Sequence, residues 1–222
     1  MNPAQWTEVD QYFVSKLVPE DPMIAAALEA SHAAGLPAIN VAPNQGKLLQ
    51  LFARMLGAKR ILEVGTLGGY STLWLAKALP ADGRVITLEL DPKHAAVARD
   101  NFLKAGLNAQ IELREGPAAE SLNQLITEKC PAFDFVFIDA DKASIPVYFE
   151  AALRLSHPRT VIVVDNVVRN GAVLDESTTD VNVQGVRRFM DTVAADNRVT
   201  ATALQTVGSK GYDGFALLLV NS

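Results

Sequence analysis

The amino-acid sequence predicts an α/β fold: a doubly wound, mostly parallel seven-stranded sheet with an antiparallel C-terminal hairpin, preceded by an N-terminal helical leader. Short apolar, β-rich segments alternate with helical segments through the middle of the chain, which is typical of a parallel sheet with right-handed crossovers. The last two β-rich segments are joined by too few residues for a crossover helix, so we expect them to pair antiparallel.

Residues 1–58 are predicted to form the helical leader, a lid on an α/β core of residues 59–222 within a single domain. Asp21 before Pro22 is typical of a helix start, because aspartate caps the N-terminus and proline fits the first turn. Three helices are predicted in the leader, over residues 7–18, 22–35 and 43–57. Their apolar faces are Val9, Tyr12, Phe13 and Leu17 in the first and, facing inward, Leu48, Leu49, Phe52 and Leu56 in the third.

The core is expected to alternate strand and helix as far as a fifth strand. The predicted parallel strands are residues 61–64, 84–89, 110–114, 133–138 and 160–164. A helix over about residues 183–196 then leads to the hairpin strands, residues 199–206 and 215–220. Ligands of open parallel sheets bind beyond the carboxyl ends of the strands, so site residues are expected in the loops there.

A glycine-rich loop follows the first predicted strand. Its glycines, which let backbone pass close to a ligand, are Gly65, Gly68 and Gly69. Ser71 and Thr72 are expected to cap the next helix, which would run to Pro80. Glu89 ends the second strand about 21 residues after Gly68, where an acid can accept hydrogen bonds from ribose hydroxyls. The pattern predicts a nucleoside-binding unit; the alternative is a strand–turn–helix whose glycines serve only the turn.

The order of the glycines indicates which nucleoside is bound. A dinucleotide site has the pattern G-x-G-x-x-G and binds pyrophosphate, whereas a carboxylate at Glu63 would repel a diphosphate and suit a cationic ligand. Glu63, Gly65 and Gly69 match the E-x-G-x-x-x-G motif of S-adenosylmethionine (SAM)-dependent methyltransferases, which this loop resembles.

Polar residues also follow the fourth and fifth strands. Asp139 and Lys142 follow the fourth, and Asp165 and Asn166 follow the fifth. Two carboxylates and an amide at one sheet edge form a set of hard oxygen ligands suited to Mg²⁺ or Ca²⁺, and Lys142 can reach the same space. The alternative for each residue alone is a helix cap or a turn.

Composition excludes several classes of protein. A net charge of −5 argues against a nucleic-acid surface, which is normally basic. The single cysteine, Cys130, excludes an internal disulfide framework and is consistent with a reducing cytoplasm. No apolar run reaches the roughly 18 residues of a membrane span, so we expect a cytoplasmic protein without a membrane partner.

The Asp-Ala-Asp-Lys and Val-Asp-Asn-Val-Val segments that begin at Asp139 and Val164 resemble the cation-dependent caffeoyl-CoA and catechol O-methyltransferase family, over about residues 39–216. The resemblance implies the Rossmann-like methyltransferase fold and a homodimer. It assigns metal binding to Asp139, Asp165 and Asn166, with Mg²⁺ expected and Ca²⁺ or Mn²⁺ as alternatives, and catalysis to Lys142, as base, with Asp139. The residues implied to contact SAM are Ile39, Val41, Glu63, Gly65, Thr66, Gly69, Tyr70, Ser71, Glu89, Leu90, Gly116, Pro117, Ala118 and Asp139.

The resemblance implies a divalent-metal-dependent transfer of methyl from SAM to a hydroxyl of an aromatic diol: a catechol, a hydroxycinnamate or its CoA ester, or a flavonoid. Ile145, Pro146 and Arg169 depart from the family pattern, so the sequence leaves the acceptor open. The alternative functions are a nicotinamide-dependent Rossmann oxidoreductase and a non-catalytic cofactor-binding module. A nucleic-acid methyltransferase is disfavoured by the acidic balance.

Overall fold

A computed structural model describes residues 2–222 and has a seven-stranded sheet with helices packed on both faces. The strands are β1 (Arg60–Val64), β2 (Arg84–Glu89), β3 (Ile111–Glu115), β4 (Phe133–Ile138), β5 (Ser156–Asp165), β6 (Val199–Gly208) and β7 (Gly211–Val220). The helices are α1 (Pro3–Leu17), α2 (Pro22–Ala33), α3 (Pro43–Met55), α4 (Tyr70–Ala76), α5 (Pro92–Lys104), α6 (Ala118–Thr127), α7 (Ile145–Arg154) and α8 (Val181–Ala195). Two short 3-10 helices cover Lys142–Ser144 and Arg169–Leu174.

The strand order is β3-β2-β1-β4-β5-β7-β6. Strands β1 to β5 are parallel, and β7 runs antiparallel to both β5 and β6. The predicted fold class is confirmed, including the C-terminal hairpin, although the hairpin strands and β5 are longer than predicted. The chain leaves β1 toward one side of the sheet and returns at β4 on the other, so the topological switch point lies between these strands.

The register of the parallel strands sets the level of the site. Val64 at the end of β1 pairs with Leu88 on one side and with Ile138 on the other, and Ile138 in turn pairs with Val164. The next residue in each strand or its following loop therefore lies at the same edge of the sheet. These residues are Gly65, Glu89, Asp139 and Asp165.

The hydrophobic core has two parts, one on each face of the sheet. Alternate residues of β4 enter opposite parts: Val136 and Ile138 pack on one face, and Phe135 and Phe137 on the other. This alternation follows from the two-residue period of a strand, and burial of both faces explains why β4 is almost continuously apolar. The sheet thus gives the loops at its carboxyl edge a rigid base.

The capping chemistry predicted at Asp21 is found there and at one further helix start. The Asp21 carboxylate accepts hydrogen bonds from the backbone N–H groups of Met23, at 3.1 Å, and Ile24, at 3.4 Å, at the start of α2. Asp91 caps α5 in the same way, with proline at the next position. The prediction for α4 is wrong: Gly69 is its N-cap residue, no side chain caps it, and it ends at Ala76.

The leader packs differently from what its apolar pattern predicts. Helix α1 has no buried residue, and its apolar stripe faces away from the core, with Tyr12 61% exposed. In α3, Leu49 is buried, but Leu56 is exposed, so the inward-facing prediction is wrong for Leu56. Helical period shows which residues share a face, but not whether that face packs within the same chain. No helix in residues 2–222 is both long enough and apolar enough to span a membrane.

Candidate active site

A cavity of about 670 Å³ opens at the carboxyl edge of the sheet, beyond β1, β2 and β4. The segment Ile39–Val41, between α2 and α3, contributes one wall, so the leader borders the cavity. The predicted site residues that line it are Ile39, Val41, Gly65, Thr66, Tyr70, Ser71, Glu89, Leu90, Pro117, Ala118, Asp139, Lys142 and Asn166. The predicted residues Glu63, Gly69, Gly116 and Asp165 are not part of this wall.

Gly65 and Gly69 are required by close packing as well as by backbone conformation. Gly65 has φ of +102°, and a Cβ there would lie 2.1 Å from the Asp139 carbonyl oxygen. Gly69 has φ of +83°, and a Cβ there would lie 2.3 Å from the Phe102 ring. Gly65 thus lets the tips of β1 and β4 meet at the cavity. Gly69 lets the loop pack closely against the Phe102 ring of α5, and its predicted contact with the cofactor remains a prediction.

Glu89 is held against the glycine-rich loop by backbone donors. Its Oε2 accepts hydrogen bonds from the N–H groups of Thr66, at 3.2 Å, and Leu67, at 2.7 Å, and its Oε1 from that of Asp91, at 2.9 Å. His94 Nδ1 lies 3.4 Å from Oε1, and both side chains line the cavity. The nearly buried carboxylate therefore has one fixed orientation in the cavity wall.

Gly116 begins the loop after β3 and is hydrogen-bonded to the backbone of Glu89. Its backbone N–H donates a hydrogen bond to the Glu89 carbonyl oxygen at 2.8 Å, and its φ of 130° is one that favours glycine. Pro117 and Ala118, the next two residues, line the cavity. Gly116 thus shapes the loop, and its predicted contact with the cofactor remains a prediction.

Glu63 lies beneath the loop and is not among the residues that line the cavity, so its predicted contact with a cationic ligand remains a prediction. Its side chain is 0% exposed, and its carboxylate accepts hydrogen bonds from Ser71 Oγ at 2.7 Å, from Thr87 Oγ1 at 2.7 Å and from Thr72. Burial raises the pKa of Glu63 to about 7, against the effect of the three hydroxyl donors. Ser71 lines the cavity and connects it to Glu63.

Asp139 and Lys142 form an ion pair in the cavity wall. Lys142 Nζ lies 2.9 Å from Asp139 Oδ1, and the lysine side chain is almost completely buried. The 3-10 helix that begins at Lys142, shortly after β4 ends at Ile138, brings the two side chains together. A primary amine is thus fixed beside a carboxylate at the strand tip.

Asp165 and Asn166 lie at the end of β5, at the same edge. Asp165 is buried, and its carboxylate accepts hydrogen bonds from Gln45 Nε2 at 2.6 Å and from the Asn166 backbone N–H at 2.9 Å. Burial, and secondarily the negative charge of Asp139, raises the pKa of Asp165 to about 7, while Lys142 opposes the shift. The backbone of Asn166 is left-handed, with φ of 59°, a conformation that asparagine tolerates.

A second cavity of about 400 Å³ lies on the far side of these residues. It is lined by Asp165 and Asn166, by Gln45 of α3 and by the β6–β7 hairpin. Because Asn166 lines both cavities, the predicted metal ligands stand between them. Among residues 2–222, no group of three or more His, Cys, Asp or Glu side chains is arranged to hold a metal ion. A cation here would therefore depend on two carboxylates and the Asn166 amide.

The sequence did not indicate Tyr148 and Asp141 as a pair. Tyr148 donates a hydrogen bond to Asp141 Oδ1, and Asp141 Oδ2 accepts one from the Ser144 backbone N–H at 3.1 Å. Burial and the Asp141 carboxylate raise the pKa of Tyr148 to about 12, so its hydroxyl is neutral near pH 7. All three line the cavity. Asp141 belongs to the Asp-Ala-Asp-Lys segment, but only the structure shows that Tyr148 is its partner.

His94 and Arg169 are two further polar residues of the cavity wall. His94 comes to Glu89 because Asp91 caps α5 and turns its first residues back toward β2. Arg169 lies 3.9 Å from Asp213 on β7, and its backbone N–H donates a hydrogen bond to Asp213 at 2.9 Å. The arginine is therefore tethered to the hairpin and is not a free loop side chain.

Comparison with known proteins gives a consistent result over almost the whole chain. A family model described as O-methyltransferase matches residues 15–219. The catechol O-methyltransferase of Niastella koreensis is 54% identical over 220 residues, covering 99% of this chain and 100% of that protein.

Two solved structures show the same similarity in three dimensions. An O-methyltransferase from Bacillus cereus in complex with SAH is 55% identical, with a TM-score of 0.98 over 99% of this chain and 100% of that one. The O-methyltransferase TomG of Streptomyces achromogenes, involved in tomaymycin synthesis and solved with SAM, is 49% identical. Its TM-score is 0.96 over 100% of both chains.

Proposed function

Because the chain belongs to the O-methyltransferase family and is a SAM-dependent methyltransferase, we propose that it methylates a hydroxyl of a catechol-like small molecule with the help of a divalent cation. Family membership favours methyl transfer over the nicotinamide-dependent oxidoreductase considered from the sequence. The observation that carries the proposal is the meeting of Asp139, Lys142, Asp165 and Asn166 beside a cavity that contains Glu89.

SAM is proposed to occupy the larger cavity, with its ribose at Glu89. The carboxylate is held by three backbone donors but keeps lone pairs that can accept hydrogen bonds from ribose hydroxyls. Pro117 and Ala118 would border the adenine, and Ile39 and Val41 the methionine end. The reactive sulfonium would then lie toward Asp139 and Lys142, which line the same cavity.

The residues present fit a divalent cation. Asp139 and Asp165 are close enough for the charge of one to raise the pKa of the other, so a positive charge between them would relieve their repulsion. Carboxylate and amide oxygens are ligands that Mg²⁺ favours, and water or substrate supplies the remaining positions. Asp139, Asp165 and Asn166 would hold the ion, with Mg²⁺ proposed before Ca²⁺ or Mn²⁺.

Lys142 is proposed to accept the proton of the acceptor hydroxyl. Bound at this edge, a divalent cation would orient both hydroxyls of a catechol, increase their acidity and weaken the hold of Asp139 on the lysine ammonium. Lys142 Nζ would act as the neutral amine, after its ammonium form has released a proton to solvent: it takes the proton of the acceptor hydroxyl, and the acceptor oxygen attacks the methyl carbon as the carbon–sulfur bond breaks and leaves S-adenosylhomocysteine. Alignment of the two reactants contributes on the order of 7–11 kcal/mol to such a step.

The catechol class of acceptor is supported by the name of the Niastella koreensis relative and by the oxygen ligand set, since adjacent hydroxyls chelate a cation and a single hydroxyl does not. Arg169 and the Tyr148 hydroxyl border the cavity and are available to contact substituents of the ring. The proposal covers catechols, hydroxycinnamates and their CoA esters, and flavonoids.

A homodimer is proposed from the exposed apolar surface of the leader and the hairpin. In the part of the chain that the structure describes, the stripe of α1 is not buried against the core, and strand β6, at the edge of the sheet, is exposed over most of its length. The exposed apolar residues of this surface are Val9, Tyr12, Phe13 and Leu17 in α1, Leu51, Met55 and Leu56 at α3, and Leu204 and Val207 in β6. Association of two copies would bury them.

The proposed function is tested by assaying methyl transfer from SAM to a panel of catechols, hydroxycinnamates and their CoA esters, each paired with its single-hydroxyl analogue. Turnover of the diols alone, abolished by a chelator and restored by Mg²⁺, is expected. Equal turnover of a catechol and its single-hydroxyl analogue, with and without chelator, would contradict both the metal and the acceptor class.

A further inference from the structure

Gln45 is the residue of the leader that contacts the predicted metal ligands. Its Nε2 donates a hydrogen bond of 2.6 Å to Oδ2 of Asp165, and the two residues are 120 positions apart in the chain. Within residues 2–222, no other side chain donates a hydrogen bond to this carboxylate; its second donor is the Asn166 backbone N–H, at Oδ1. One oxygen of Asp165 is thus oriented by α3 and the other by the strand end.

Gln45 is itself held in place. It lies in the first turn of α3, where its backbone N–H donates to Asn44 Oδ1 at 3.0 Å. Asn44 Nδ2 donates to Asp10 Oδ1 at 2.9 Å, and the Ser209 backbone N–H donates to Asp10 Oδ2 at 2.7 Å. Helix α1 and the β6–β7 turn therefore anchor the start of α3 and, with it, the side chain that reaches Asp165.

A neutral amide is suited to orienting a metal-binding carboxylate. Asp165 is buried, so without the Gln45 donor little would hold the orientation of its side chain. An amide N–H fixes one oxygen, leaves its other lone pairs available and adds no positive charge to compete with a cation. Groups that hydrogen-bond metal ligands in this way contribute to affinity, and their loss commonly costs about 10- to 100-fold.

We infer that Gln45 is a positioning residue for Asp165, through which the helical leader sets the affinity of this edge for a divalent cation. The inference rests on the proposed metal-dependent function and deepens it. It also gives the leader a second role besides bordering the cofactor cavity. The same contact would be absent in a chain lacking α3, even with Asp139, Asp165 and Asn166 intact.

The test is the affinity for Mn²⁺, measured by the electron paramagnetic resonance signal of the free ion, in the full chain with Gln45→Leu or Gln45→Asn. Leucine removes the donor, and asparagine keeps the amide but is one methylene too short to reach Asp165. The matched control is Gln50→Leu, a buried glutamine of the same helix whose amide oxygen accepts a hydrogen bond from Lys47. Melting of the metal-free proteins and binding of S-adenosylhomocysteine check the fold.

Both Gln45 variants are expected to bind Mn²⁺ about 10- to 100-fold more weakly than the wild type, with melting temperature and S-adenosylhomocysteine affinity unchanged. The control should bind Mn²⁺ like the wild type. Wild-type-like affinity in Gln45→Leu, or an equal loss in Gln50→Leu, would overturn the inference while leaving the metal site standing. So would loss of folding or of S-adenosylhomocysteine binding in both Gln45 variants, which indicates a purely structural role. A wild type that binds no Mn²⁺ would instead refute the metal site of the proposed function.

Discussion

Lys142 Nζ lies 2.9 Å from Oδ1 of Asp139, so the proposed base and a proposed metal ligand are hydrogen-bonded to each other. The pair is three residues apart, and the turn after β4 brings both side chains into the cavity wall. The roles of the two residues are therefore coupled: whatever engages the Asp139 carboxylate changes how strongly the Lys142 ammonium is held. Variants of each residue should be compared under the same conditions.

If Lys142 accepts the proton of the acceptor, Lys142→Ala should lower the single-turnover rate roughly 10²- to 10⁴-fold near neutral pH. At higher pH the catechol ionises without a base, so the deficit should shrink as the pH is raised. Single-turnover rates at saturating SAM across a pH series provide the measurement. A deficit that stays constant with pH would leave the lysine an electrostatic or orienting role.

Asp165→Ala serves as the comparison for this variant. It removes a proposed metal ligand and leaves Lys142 intact, so its defect should respond to added Mg²⁺. The defect should also persist at high pH, since an ionised catechol that is not held still lacks alignment. Identical pH profiles for the two variants would mean that base and metal ligand cannot be separated as proposed.

Glu89→Ala should weaken SAM binding by about 1.5–3 kcal/mol, the range for losing hydrogen bonds to a charged group. The variant also removes the acceptor for the N–H groups of Thr66 and Leu67, so the loop loses part of its support. Calorimetry in the absence of metal is the measurement, since Glu89 and the loop need no cation. The control is Glu115→Ala, the exposed residue paired with Glu89 on β3. Unchanged affinity would remove Glu89 from the ribose role.

The buried carboxyl of Glu63 should make stability depend on pH. Its pKa rises from 4.5 to about 7 on folding, so the folded chain holds a proton that the unfolded chain releases between these values. The stabilisation is complete below pH 4.5 and is lost as the pH rises to 7, by as much as roughly 3 kcal/mol. Between pH 4.5 and 7, the free energy of unfolding of the wild type should therefore fall relative to that of Glu63→Gln. Above pH 7, the difference between the two proteins should stay constant.

Unfolding of the metal-free proteins in urea at several pH values measures this difference. Asp165 also has its pKa raised to about 7, so the wild-type curve alone does not isolate Glu63, and the difference between the two proteins is needed. Glu120→Gln, at an exposed glutamate of α6, is the control and should follow the wild type. Parallel curves for wild type and Glu63→Gln from pH 4.5 to 7 would show that Glu63 is ionised throughout.

The proposed homodimer should depend on the exposed stripe of α1. Phe13→Glu places a charge in that stripe, and burying it at an interface would be unfavourable, so dissociation to monomers is expected. Gln11→Glu adds the same charge on the opposite face of the helix and should leave the dimer intact. Sedimentation velocity over a concentration series distinguishes the outcomes. A monomeric wild type would refute the proposed homodimer. A dimeric Phe13→Glu variant would place its interface away from the α1 stripe.

Local patterns in the sequence determined most of the fold and the edge at which the site lies. Asp21 and Asp91 each precede a proline, and a capped helix follows both, because capping involves atoms only two or three residues apart. Glu89 and Asp139 end or follow apolar runs that are strands, and parallel strands present their carboxyl ends together. Such inferences need only the period of a strand and the order of elements.

Tertiary structure decided which side chains meet and which surfaces remain exposed. Glu63 lies in a strand whose residues are buried on both faces, and the three hydroxyls around it come from α4 and β2, so its distance from the cavity could not be read from its motif. Gln45 reaches Asp165 across 120 residues because α3 packs beside the end of β5. The stripe of α1 is apolar by sequence, but only the packed structure shows that it stays exposed among residues 2–222. Such contacts depend on how separate elements pack, since hydrophobic period specifies a face and not its partner.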